Sequence, residues 1–282
     1  MPDTLEIDGR PYQLVARQRS DAAVYKGDET YLRIGEAGFV NEKLAVHKKM
    51  EQEGFPVPQL LREGAYGERK YFLEASLGDK RLTDLFAEDV QAAGKISDLH
   101  FDQFLRVSLM FLDAQLRTDP CDRDAVAFGR AIHLETLMDE LPEYASRIQK
   151  RFNETVSRTS RLPSVITHGD FNPANMYPTG VIDFEDSFHG PVGYDMITAL
   201  TTIDWFPQEE GFEYRARYLF SDTQKDAYLK ACNERFVAAG LPALSDFFNG
   251  FAFARALWMV ARMQQWPKIQ KWRYHRFITR YL

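Results

Sequence analysis

Apolar and polar positions change rhythm early in the chain. Residues 12–16 (YQLVA), 22–27 (AAVYKG), 29–34 (ETYLRI) and 70–75 (KYFLEA) are short apolar runs between Asp, Gly and Glu clusters, which is the pattern of half-buried strands. One helix interrupts them over 39–52 and ends where Gly54, Pro56 and Pro58 follow. Beyond Gly78, apolar side chains recur every three or four positions in 101–117, 131–141, 223–240 and 244–263, which predicts helices. Two short strands, 164–167 (SVIT) and 180–183 (GVID), flank a polar loop within that helical part. The expected fold class is α+β. A small β-rich lobe over residues 1–76 is joined by a tight crossing to a large helical lobe over 77–282, and such a crossing leaves a cleft.

Composition adds mainly exclusions. With 45% hydrophobic and 27% charged residues, the 282-residue chain reads as an ordinary globular protein. It opens without a basic, then apolar, leader. Its most apolar long stretch, FAFARALWMVARM, is cut by two arginines well short of a membrane span, so a cytoplasmic protein without a membrane partner is expected. A net charge of −6 argues against a nucleic-acid surface, which needs clustered Lys and Arg. Cys121 and Cys232 stand far apart with no CxxC pair, so reduced thiols are expected and no zinc site.

The loop between the two short strands carries the chemistry. THGDFNPANMYPTGVIDFED, residues 167–186, concentrates hard oxygen donors where a rigid scaffold leaves side chains free. Asp170 and Asn175 lie before the second strand and Asp183 at its end, so adjacent strands would bring them near one point. Two carboxylates and an amide oxygen, with water and phosphate completing the shell, suit Mg²⁺. Taken singly, each residue has a plainer reading, with Asp170 and Asn172 capping turns around Pro173 and Asp183 a solvated strand end.

As a set, HGDFNPANM followed by VIDFED resembles the catalytic and metal-binding segments of aminoglycoside phosphotransferases, choline kinases and related small-molecule kinases. That family shares the two-lobed architecture of protein kinases. Asp170 stands two residues after His168, and Asn175 five after Asp170, which is the family spacing. The resemblance implies that Asp170 orients or takes the proton of the attacking hydroxyl, that Asn175 and Asp183 hold Mg²⁺ on the phosphates of ATP, and that His168 supports the loop. Asn172 stands where serine/threonine protein kinases carry Lys, and Gly169 follows His168; both favour a small-molecule kinase over a protein kinase.

The same resemblance assigns nucleotide contacts in the small lobe. Arg33 replaces the usual phosphate-binding Lys. Glu42, on the apolar stripe of the helix by its wheel position, would pair with it, since a buried carboxylate needs a partner. Ser20 stands in for an absent glycine loop, and the backbone of Glu74 and Ser76 would face the adenine edge. Asp195, at a helix N-terminus, would steady the catalytic loop. For the acceptor, Arg255 and Arg262 need partners, either internal acids such as Asp195 or Asp204 or an anionic or polyhydroxylated substrate, while Asp204 and Trp205 could face a sugar ring. GPVGYD and WPKIQKWRYHRF resemble kinases acting on the anomeric hydroxyl of amino sugars. The expected reaction is ATP-dependent phosphorylation of a small hydroxylated metabolite. A nucleotide-binding module without catalysis and a metal-dependent phosphohydrolase are the alternatives.

Overall fold

The computed structural model describes residues 2–17 and 22–282. Strands β1 (Thr4–Ile7), β2 (Arg10–Arg17), β3 (Ala23–Lys26) and β4 (Thr30–Gly35) form an antiparallel meander that runs into helix α1 (Ala37–Gln52). The hairpin of β5 (Leu60–Tyr66) and β6 (Arg69–Ala75) then returns to the sheet, giving six strands in the order β1-β2-β3-β4-β6-β5. Period-two alternation divides the faces. Leu32, Ile34, Tyr71 and Leu73 join Tyr12 and Tyr25 in one core, whereas Phe72 turns to the other face and packs on Val40 and Leu44 of α1. Tyr31 and Arg33 share a side of β4 opposite to Leu32 and are left less buried.

After Ala75 the chain becomes helical, through α2 (Leu82–Ala93), α3 (Asp98–Arg117), α4 (Ala125–Ala131), α5 (Leu134–Glu140), α6 (Ala145–Thr159), α7 (Tyr194–Thr201), α8 (Asp222–Ala238), α9 (Phe248–Ala261) and α10 (Pro267–Tyr281). Between α6 and α7 lie two small antiparallel pairs, β7 (Ser164–Thr167) with β10 (Phe188–Pro191), and β8 (Met176–Tyr177) with β9 (Gly180–Val181). Every residue of α9 from Phe251 to Ala261 is buried, so this helix is the axis of the large core. Phe111 of α3 lies under the polar loop, its ring 4.5 Å from that of Phe171 and 4.8 Å from that of Phe55.

The architecture is the α+β, two-part arrangement expected, with differences in detail. The helix expected over 131–141 is α5, which starts only at Leu134 because His133 ahead of it adopts a left-handed φ of 60°. Strands β1, β5, β8 and β10 and helices α2, α4, α6 and α10 were not anticipated. β5 is mostly exposed along its length and so lacks alternation, and the buried stripe of α6 includes Thr155 and Thr159 beside Ile148 and Phe152. Among the described residues, no helix is long and apolar enough to cross a membrane.

Candidate active site

The polar loop begins where β7 stops. Gly169 has a φ of 79°, and a Cβ there would stand 2.0 Å from the carbonyl oxygen of Asp186, so this turn admits only glycine. Asp195, buried in the first turn of α7, accepts from the backbone N–H of His168 at 3.0 Å, from that of Gly169 at 3.2 Å and from Gln115 Nε2 at 2.8 Å. Burial pushes its carboxyl above the usual carboxylate range, against the pull of His168 and the two amides. His168 Nε2 lies 2.9 Å from the carbonyl of Ile182, tying the loop to the segment after β9. These contacts hold the backbone still and leave the next side chain to reach outward.

That side chain is Asp170. Its Oδ1 accepts from Arg255 Nη2 at 2.5 Å and Asn172 Nδ2 at 2.8 Å, and its Oδ2 accepts from Asn175 Nδ2 at 3.1 Å. Burial alone would raise its carboxyl, but the Arg255 guanidinium outweighs it and holds Asp170 below the usual range. Arg255 is itself fully buried, donating also to the carbonyl of Gly169 at 3.2 Å and to Thr202 Oγ1 at 3.0 Å. The partner expected for Arg255 was Asp195 or Asp204; it is Asp170. Asp195 is already committed to the loop amides, and Asp204 stands 3.8 Å from Lys225 Nζ.

Asn175 spends its amide nitrogen on Asp170, while its Oδ1 has no partner among the described residues. The N–H of Ile182 donates to the Asn175 carbonyl at 2.9 Å, and the β8–β9 pairing folds the chain back, so Asp183 emerges beside Asn175. Asp183 is exposed, in the left-handed region at φ 70°, which Asp tolerates better than most residues. Asp170, Asn175 and Asp183 thus stand on adjoining segments at the seam between sheet and helices. Two hard oxygen donors, on Asn175 and Asp183, fit a divalent cation that takes its other ligands from phosphate and water. Among the described residues no three His, Cys, Asp or Glu side chains form a closed metal site.

On the sheet side, Arg33 Nε donates to Glu74 Oε1 at 2.8 Å, and His47 Nδ1 lies 3.6 Å from the other oxygen. Burial opposes the charge on Arg33, but Glu74, with Asp183 and Glu185, holds it more firmly protonated than usual. The expected Arg33–Glu42 pair is therefore replaced by Arg33–Glu74. Glu42 is exposed because α1 buries Val40, Leu44 and His47, and a residue two away from Val40 and Leu44 lies roughly 160° round the helix. The backbone roles expected for Glu74 and Ser76 also change. Glu74 sits in β6 between Tyr31 of β4 and Leu60 of β5, and the Ser76 N–H donates to the Glu29 carbonyl at 2.8 Å. Ser20 lies outside the described residues.

Three cavities meet this seam. One, about 180 Å³, lies against α1 and has Arg33, Glu42, Glu74 and Asp183 in its wall. The smallest, about 170 Å³, is walled by Val24, Tyr31, Arg33, Leu77, Tyr177 and Asp183. Burial, reinforced by the hydrogen-bonded Tyr177, pushes the Tyr31 hydroxyl up to about 12, and the contact with Tyr177 bridges β4 and β8. The largest of the three, about 640 Å³, has Asp170 in its wall together with Arg255, Arg262, Trp258 and Phe206. Trp205 is not in its wall. Its ring is buried and stacks on Tyr281, and Asp204 does not line the cavity either. Arg262 donates to Asp186 Oδ1 at 2.9 Å and lies 4.6 Å over Trp258, whose indole also faces Arg255 at 4.0 Å. Tyr31 was legible as the residue two before Arg33 on one strand face. The Arg255–Asp170 bond, spanning 85 positions, leaves no local signal.

Several solved structures share this architecture. The gentamicin complex of the aminoglycoside phosphotransferase APH(2″)-IIa matches with 11% identity and a TM-score of 0.60, over 95% of this chain and 90% of that one. The Streptomyces rimosus aminoglycoside phosphotransferase APH(3″)-Id, in complex with ADP and streptomycin, matches at 13% identity and TM-score 0.53 over 88% and 92%. A choline/ethanolamine kinase family protein from Mesorhizobium loti matches at 11% and 0.53 over 95% and 87%. At such identities the likeness concerns the fold alone. Residues 12–232 match the phosphotransferase enzyme family, and the chain belongs to that family. No curated protein sequence matches it.

Proposed function

We propose that this phosphotransferase moves the terminal phosphoryl group of ATP to a hydroxyl of a small metabolite, a sugar or amino sugar, in the cytoplasm. The carrying observation is that Asp170 lies in the wall of the 640 Å³ cavity and Asp183 in that of the 170 Å³ one, with Asn175 hydrogen-bonded to Asp170. In this reading residues 1–76 bind nucleotide, and 77–282 supply the catalytic loop and the acceptor cavity. The ADP held by the Streptomyces relative supports a nucleotide as donor.

The residues divide the work. Arg33, locked by Glu74, presents a fixed cation to the nucleotide phosphates. Asn175 Oδ1 and the Asp183 carboxylate would hold Mg²⁺, which when bound neutralises phosphate charge. Asp170, ionised and fastened on both oxygens, accepts a hydrogen bond from the acceptor hydroxyl and aims it. Arg255 places positive charge at the acceptor side, where serine/threonine protein kinases have Lys and this chain has Asn172.

Two substitutions test this. Asp170→Asn lowers kcat by about 100- to 10,000-fold and leaves the affinity for Mg·ATP unchanged. Asp183→Asn instead weakens nucleotide binding with Mg²⁺ present and not without it, as read by calorimetry. Undiminished turnover in Asp170→Asn would end the proposal.

A further inference from the structure

The 640 Å³ cavity has an unbalanced wall. Five arginines line it, Arg215, Arg217, Arg255, Arg262 and Arg273, against one carboxylate, Asp170. Four of the five face an acid: Arg255 faces Asp170, Arg262 faces Asp186, Arg217 faces Asp84 and Arg215 faces Glu210. Arg273 does not. It is fully buried, donates only to the carbonyls of Trp205 at 2.9 Å and Met259 at 2.7 Å, and lies 4.9 Å over the ring of Phe206. Its Nη2 is buried without a hydrogen-bond partner among the described residues. Burial, and then the neighbouring Arg255, push Arg273 down to about 9, which still leaves it charged at neutral pH.

A buried cation without a counter-charge is unfavourable unless something supplies one. Carbonyl dipoles do so in part; a ligand anion would do so fully. The pairs at the rim add to this. Arg215 and Arg217 are more than half exposed and reach their acids at 3.3 and 3.4 Å, so these are weak surface pairs that can be exchanged for a ligand. Arg262 and Arg255 lie over Trp258, which holds the two guanidinium groups against the cavity wall. The volume is that of a site for one small organic molecule.

We infer that the acceptor is an anion: a hydroxylated small molecule bearing a carboxylate or phosphate group, which neutralises Arg273 and the arginines beside it while its hydroxyl meets Asp170. This rests on the kinase reading above and narrows it. It excludes the aminoglycosides, polycations that this wall repels, as the natural acceptor.

The test follows ADP release with sugar acids, amino-sugar acids and sugar phosphates, each paired with its uncharged amide or dephosphorylated form, and with gentamicin as the cation. Turnover favours the charged member of a pair by about 30-fold or more in kcat/KM, the worth of a charge-assisted hydrogen bond. Which arm responds, carboxylate or phosphate, names the anion. Arg273→Met and Arg262→Gln raise KM for the anionic acceptor with KM for ATP unchanged; Arg262 is partly exposed, so that variant reads the site even if Arg273→Met does not fold. A best acceptor that is neutral or cationic overturns the inference. If no acceptor consumes ATP, the kinase reading fails, and melting temperatures with each acid and its amide, without nucleotide, decide this one separately. A rise with the acids alone that Arg262→Gln diminishes supports it; equal shifts, or none, overturn it.

Discussion

Asp170 and Arg255 form the bond on which the chemistry turns, and its consequence is a pH profile. The folded protein holds the Asp170 carboxyl below its usual range, so its ionised form stabilises the fold above the unfolded value. That contribution disappears as pH falls through the folded value. Across the neutral range Asp170 is therefore ionised and adds no acid limb to kcat/KM. In Arg255→Met the burial remains and the cation does not, so the carboxyl rises and an acid limb moves toward neutrality. A kcat/KM profile identical in shape to that of the unsubstituted enzyme would contradict this. Asp170, Asn175 and Asp183 were legible in the sequence because the loop is local: three side chains within 14 residues, on a turn that Gly169 alone permits. Arg255 was visible as a buried charge in an apolar helix, but its partner was not, because nothing along the chain measures a contact across 85 residues.

The sheet and α1 show the opposite error, a partner named correctly by kind and wrongly by place. Glu42 seemed to need an ion pair because its wheel position was read against Phe39, Val46 and Met50; of these only Met50 is buried, and the helix packs along Val40, Leu44, His47 and Met50. The acid that Arg33 holds comes instead from β6, paired in register so that Phe72 lies opposite Arg33 and Glu74 opposite Tyr31. Glu74→Ala strands Arg33 and lowers stability by about 3 kcal/mol, with weaker nucleotide binding. Glu42→Ala changes stability by no more than about 0.5 kcal/mol. Chemical denaturation compares the two directly, and equal losses would restore Glu42 to the role. Strands were easier to read than their pairing, since alternation reports which face a side chain takes but not which neighbour lies across.

Sheet and helices are joined by backbone as well as by core. The Val181 N–H donates to the Pro56 carbonyl at 2.7 Å, and a Cβ on Gly180 would stand 2.4 Å from that same oxygen. Phe55, just before it, packs on Phe111 in the large core. This clamp ties the segment after α1 to the β8–β9 hairpin that carries Asp183. Gly180→Ala forces them apart and costs about 1–3 kcal/mol, with a higher KM for ATP than for the acceptor; an unchanged melting temperature would show that the clamp gives way freely. Local chemistry along the chain was sufficient to announce strands, helices, a two-part fold and an oxygen-rich loop, because periodicity, turn residues and motif spacing act over a few residues. The acid that holds Arg33, the base that Arg255 holds, and the cavity left with an unmatched Arg273 follow from contacts between distant segments, and only packing the helices against the sheet brings those charges within reach of one another.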